Sequence, residues 1–163
     1  MHNASFDGSF AGWREVARSL IQQRVPPHQI TWLTDGDSGG LFDHAPVPNG
    51  APAATPPLRI PKQLLELLQS AARFRVEDRW SLLYRILWRV AQGDRAAMLP
   101  GDIDGSQLHK RLKAIRREAH HLHAFLRFHP RPENAEGPQL VAWHEPAHDI
   151  LASASGHFAE RLG

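Results

Sequence analysis

The chain contains no cysteine. That excludes disulfides, cysteine-ligated iron–sulfur clusters and thiol nucleophiles, and it fits a reducing cytoplasm. No apolar run reaches the roughly 20 residues needed to cross a bilayer. The first residues lack the charged-then-apolar pattern of a secretory signal, so a cytoplasmic protein without a membrane partner is expected. Excess charge of one sign is scarce too: 19 Lys or Arg against 17 Asp or Glu leave a net +2, although the sequence pI is near 9.5. The placement of charge therefore says more about partners than its sum does. A Gly-rich phosphate loop, a Walker sequence and a nucleophile elbow are all missing, so no nucleotide-hydrolysing or serine-hydrolase chemistry announces itself.

What is present is 163 residues, 42% hydrophobic and 22% charged, enough for a single domain over 1–163 with a real core. Phe10, Trp13, Ala17, Leu20 and Ile21 recur at helical spacing, which predicts a helix over about Ala11–Arg24. Val25-Pro26-Pro27 stops it, and the β-branched, aromatic Gln29–Leu33 reads as a strand. Residues 34–57 are rich in Gly, Pro and Ala and read as a mobile loop; the "DGDSGG" within it lacks the later ligands of a calcium loop and reads as a polar turn. Pro61 suits the first turn of a second helix carrying Leu64, Leu65 and Leu68. A third helix places Trp80, Leu83, Tyr84 and Leu87 on one face, with Glu77 and Asp78 at its positive end and Gly93 at its stop. A fourth runs from a Ser106 cap to about Leu122. "AFLRFH" and "QLVAWHE" alternate as an antiparallel pair, and Ile150, Leu151, Ala154, Phe158 and Leu162 form a last helix from Pro146 onward. The expected class is α+β: four to five helices packed with a small, mostly antiparallel sheet of three or four strands.

The most eye-catching chemical pattern is His144-Glu145-x-x-His148, a literal H-E-x-x-H. A zinc protease needs both histidines one turn apart on one continuous helix. Pro146 stands inside the motif, disfavours helical geometry at Glu145 and lacks an N–H. The two histidines are therefore assigned to different elements, and no metal or other cofactor is expected. A metal-dependent hydrolase using His144, Glu145, His148 and His120 or His121 is a minor alternative. His120, His121 and His123 span a helix end, where a dipole interaction suffices to explain them.

The charge pattern is more informative. Between Ser106 and Pro132 lie Lys110, Arg111, Lys113, Arg116, Arg117, Arg127 and Arg131 against one acid, Glu118. On a helical projection Leu108, Leu112, Ile115, Ala119 and Leu122 share one side, and Lys110, Lys113, Arg117, His120 and His121 the other, flanked by Arg111 and Arg116. A basic stripe opposite an apolar one is what a helix laid against phosphates presents, and also what a solubilised surface helix presents. Arg79, Arg85 and Arg89 interleave with Trp80, Tyr84 and Trp88 on the preceding helix. Trp80 and Tyr84 follow the core stripe; Trp88 falls off it and either packs in a second layer or, if exposed, stacks on a base or holds Arg89 by cation–π contact.

Three stretches, "FRVEDRWSLLYRILWRV", "RREAHHLHAFLRFH" and "LVAWHEPAHDIL…HFAERL", together resemble a bacterial domain of unknown function in proteins assigned to DNA metabolism and repair. In that family the domain occurs beside a radical SAM partner resembling photoproduct lyases, or fused ahead of a uracil-DNA-glycosylase-like domain. "FDGSFAGWREVARSLI" and "VPPHQITW" look most like the glycosylase-fused branch. The resemblance implies the accessory domain of a longer protein and supplies no catalytic residues. It also implies that His144, where related sequences carry an aromatic, is incidental, whereas His148 matters to the domain. The leading expectation is a non-enzymatic domain binding DNA through Lys110, Lys113, Arg116, Arg117, His121 and Arg127, with Arg89 and Trp88 beside them. The alternative is a protein-interaction module that docks a glycosylase or radical SAM enzyme through an apolar patch beside Trp88 or Trp143.

Overall fold

A computed structural model describes residues 1–34, 59–132, 134 and 136–162. The Gly/Pro-rich segment expected as a mobile loop lies, apart from Thr34, outside the described residues, as does the "DGDSGG" turn. The described chain opens with strand β1 (His2–Phe6), helix α1 (Phe10–Gln22) and strand β2 (Ile30–Thr34). β1 and β2 pair in parallel with Ala4 opposite Trp32, and α1 supplies the crossover that a parallel pair requires. Ser9 caps α1 by accepting from the Gly12 N–H at 3.0 Å.

Helix α2 (Lys62–Ala71), helix α3 (Arg79–Ala91) and helix α4 (Ile103–Phe125) follow, then a two-residue hairpin of β3 (His129–Pro130) and β4 (Leu140–Val141), and helix α5 (Leu151–Leu162). The class is α+β, with five helices among the described residues. The sheet is smaller than expected: two separate pairs, one of them parallel, instead of one antiparallel sheet of three or four strands. The alternation in "AFLRFH" does not make a strand, because Ala124 and Phe125 remain helical and only His129–Pro130 pair with Leu140–Val141. α4 also starts earlier than Ser106. Asp102 is the cap, its Oδ1 accepting from the N–H groups of Asp104 at 2.8 Å and Gly105 at 3.1 Å. The last helix begins at Leu151, not at Pro146; residues 142–150 form an irregular strap.

One large apolar cluster joins β1, α1, α2, α3 and the first half of α4. Trp13 stacks on Trp80 with ring centroids 5.9 Å apart, Phe6 meets Trp80 edge-on at 5.0 Å, and Trp32 leans on Tyr84 at 5.5 Å. The fully buried Tyr84 donates its hydroxyl to the Val25 carbonyl at 2.7 Å, tying α3 to the turn after α1. A second, smaller cluster of Ile115, Leu122, Ile150 and Ala154, with Phe74, Leu126 and Phe158 against it, clamps α5 to the second half of α4. One long helix therefore touches both clusters, Leu108 and Leu112 in the first and Ile115 and Leu122 in the second. Gly105 lets α4 begin where it does. A Cβ there would sit 2.8 Å from the Leu99 carbonyl carbon and 2.9 Å from the Leu99 nitrogen. Among the described residues no helix is long and apolar enough to cross a membrane.

Candidate nucleic-acid interface

The apolar side of α4 is fixed by the two clusters, so its opposite side must face solvent. Lys110, Lys113, Arg116, Arg117, His120 and His121 are all placed there, and all six are exposed. From Lys110 to His121 the face is about 16 Å long at the helical rise. None of these lysines or arginines forms an ion pair among the described residues. Glu118, the acid on this part of α4, is turned to the strap instead: its Oε1 accepts from the Ala147 N–H at 2.6 Å.

Cations that face inward have partners. Arg111, placed by helical projection on the flank of the basic stripe, is in fact 7% exposed. Its Nη2 donates to Asp78 at 2.6 and 2.9 Å, and its guanidinium lies over Phe74. Arg89 donates to Asp94, Asp102 and Asp104 at 2.7–3.0 Å, and those carboxylates push its guanidinium above its usual range. That leaves Arg89 committed within the molecule, at the start of α4, roughly 27 Å of helix from His121. Trp88 is half-buried against the large cluster, 6.3 Å from Tyr84. It packs instead of standing free, because α3 buries more than one stripe between α1, α2 and α4: Leu82, Ile86 and Val90 are buried as well as Leu83 and Leu87. The sequence-derived set thus divides. Lys110, Lys113, Arg116, Arg117, His121 and Arg127 share the α4 surface and its end, and Arg89 and Trp88 lie elsewhere.

The missing aromatic is Trp143. It is 85% exposed and Phe125 is 71% exposed, while the other four tryptophans pack within or against the large cluster. A depression of about 450 Å³ at the C-terminal end of α4 is bordered by His121, Phe125, Arg127, His129, Trp143 and His144. Among the described residues no carboxylate lines it. His121 meets Phe125 edge-on at 5.7 Å. A second depression of about 380 Å³ lies on the other side of the Trp143–His144 ridge, between Arg75, Glu145, His148 and Leu151. The sequence places Trp143 in the alternating "QLVAWHE" and offers it only as part of an apolar docking patch; β4 stops at Val141, which leaves the indole in the strap.

The H-E-x-x-H residues lie in the strap, outside any helix. His148 Nδ1 accepts the Arg75 N–H at 3.1 Å, and its ring stacks on Phe74 at 4.1 Å. The neighbouring Asp149 receives Arg75 Nε at 2.7 Å and Arg79 at 3.4 Å. These contacts fasten the strap to the loop between α2 and α3. His144 borders both depressions. Among the described residues no group of three His, Asp or Glu is placed to hold a metal ion. His120 and His121 stay 6.5 Å apart, and His123 turns away to stack on His157 at 4.3 Å.

The family described as Domain of unknown function (DUF4130) matches residues 77–163, slightly more than half of the chain. The chain belongs to the DUF4130 family. The DUF4130 span contains α3, α4, the β3–β4 hairpin, the strap and α5, hence both the basic face and the groove beside Trp143. The β1–α1–β2 unit and α2 precede it. No curated protein and no solved structure gives a significant match.

Proposed function

We propose that this DUF4130 chain is a non-catalytic accessory domain that binds DNA through the outward face of α4, serving a DNA repair or DNA metabolism system. One observation carries the reading: among the described residues Lys110, Lys113, Arg116 and Arg117 form no ion pairs, while the inward-facing arginines are matched by carboxylates. A run of uncompensated cations on one rigid helix releases counterions when it meets phosphates, and that release dominates affinity. His121 carries the surface into the last turns of the helix and Arg127 continues it past the helix end. The test is titration of single- and double-stranded DNA across a salt series. Lys113→Glu with Arg117→Glu is expected to weaken binding steeply and to flatten the salt dependence by about one unit of log–log slope for each phosphate that is no longer neutralised. Unchanged affinity in that variant overturns this surface.

A second reading has its own support. Phe125, Leu140, Val141, Trp143 and Leu151 are exposed apolar residues around the hairpin and strap, the kind of patch that marks a protein contact. On that reading the domain docks a glycosylase-like or radical SAM partner, and Trp143→Ala abolishes co-purification without any DNA affinity to lose.

A further inference from the structure

We infer that the depression at the C-terminal end of α4 takes an unpaired base of a single-stranded nucleic acid, with Trp143 as the stacking platform and Arg127 and the surrounding histidines serving the flanking phosphates. This rests on the nucleic-acid reading above and adds the form of the ligand.

Three features point to it. The first is the contrast among the tryptophans. Four are packed against other rings and aliphatic side chains, and Trp143 alone presents its ring to water, with Phe125 also exposed at the rim of the same hollow. An aromatic face set in a groove offers every base the same stacking surface, and stacking is what holds single strands without reading their sequence. In a duplex those faces are already occupied by neighbouring base pairs, so an exposed indole gains nothing unless a base is unstacked.

The second is the polar rim. Arg127, His121, His129 and His144 surround the two aromatics, and no acid among the described residues borders the hollow. An imidazole supplies an N–H donor even when neutral, and a guanidinium supplies several. An apolar protein partner would be served by an apolar rim; donors without acceptor carboxylates match phosphate and base edges instead. The volume, about 450 Å³, falls in the range of small-ligand clefts. The third is continuity. His121 belongs at once to the outward face of α4 and to the wall of the hollow, so a strand lying along Lys113, Arg117 and His121 is delivered directly to Trp143.

The experiment compares a fluorescently labelled oligothymidine of about 12 nucleotides with the same strand annealed to its complement, for the full chain and for Trp143→Ala, Trp143→Phe and the Lys113→Glu, Arg117→Glu pair. Thermal melts of each variant check the fold, which Trp143 at 85% exposure does little to hold. Expected is tighter binding of the single strand and a loss on the order of 10- to 100-fold in Trp143→Ala. Trp143→Phe should keep most of the affinity, and duplex binding should be unchanged in both. If charge reversal weakens both forms but Trp143→Ala alters neither, the base-stacking inference falls and the α4 reading stands. If neither nucleic acid binds, both fall together, and a partner protein captured through Trp143 in that case marks the hollow as a docking site.

Discussion

The guanidinium of Arg89 holds both carboxylate oxygens of Asp102, each at 2.7 Å, and the same carboxylate caps the first turn of α4. A planar fork on a carboxylate is the most directional ion pair available to a protein. Here it joins the end of α3 to the start of the helix that carries the basic face.

The Arg89 fork, followed by the Gly105 and Asp104 N–H groups, holds the Asp102 carboxyl well below its ordinary value of 3.8. A depressed native value means the contribution is complete above the unfolded value and fades as pH drops below about 4. Asp102→Asn should lower the melting temperature at neutral pH and flatten the acid limb of the stability curve. Thermal melts across the acid range read both; an unaltered acid limb would show that other carboxylates govern it.

Arg89 and Lys113 should separate cleanly into two kinds of effect. Arg89→Gln removes the partner of three carboxylates and is expected to lower the melting temperature while DNA affinity stays as it was. Lys113→Glu is expected to do the reverse. Parallel melts and titrations on the two variants make the comparison, and a loss of affinity in a well-folded Arg89→Gln protein would return Arg89 to the binding surface.

Tyr84 is the chain's sole tyrosine, so phenolate absorbance reports on it alone. Burial pushes its hydroxyl well above the ordinary 10.0. The native state therefore favours the protonated form, and its stabilising effect persists below the unfolded value and is lost as pH rises beyond it. The phenolate signal should stay absent as pH passes the ordinary value and appear only with unfolding. Tyr84→Phe leaves the Val25 carbonyl without its donor and should cost about 1–2 kcal/mol in chemical denaturation.

Two glycines make a paired test of backbone packing. In a helix Gly→Ala normally stabilises by up to about 1 kcal/mol. Gly156 in α5 has open space around it and should behave so. Gly105→Ala drives a methyl group into the Leu99 backbone and should destabilise by about 1–3 kcal/mol. Denaturant midpoints of the two variants should move in opposite directions.

The helices were legible because Trp13, Leu64, Trp80, Leu83 and Leu108 sit at helical intervals and each is buried. β1 was not, since "HNASF" carries too few β-branched or apolar residues to stand out; its pairing with β2 depends on α1 bringing the two strands side by side. Strand-like alternation after Leu122 could not be told from the end of a long helix, because period two and period 3.6 agree over so few residues. Within the interface, the outward stripe on α4 followed from helix geometry alone. Most partners of Arg89 and Arg111 did not, because Asp78, Asp102 and Asp104 reach them only through tertiary packing. Pro146 keeps the H-E-x-x-H out of a helix, but His144 and His148 share one strap instead of falling in different elements; the anchoring of His148 on Phe74 depends on a loop some 70 residues away in sequence.

Because α4 is shared by a large cluster at one end and a small one at the other, its amides should not be protected alike. Amides near Leu108 and Leu112 would exchange with solvent only when the whole domain opens, and those toward Leu122 would exchange through a cheaper, local release of α5. The hollow beside Trp143 stands on that looser end. A ligand bound there would tighten α5 against α4, and the slowing of exchange around Ile150 and Ala154 would register its arrival at a distance from the ligand itself.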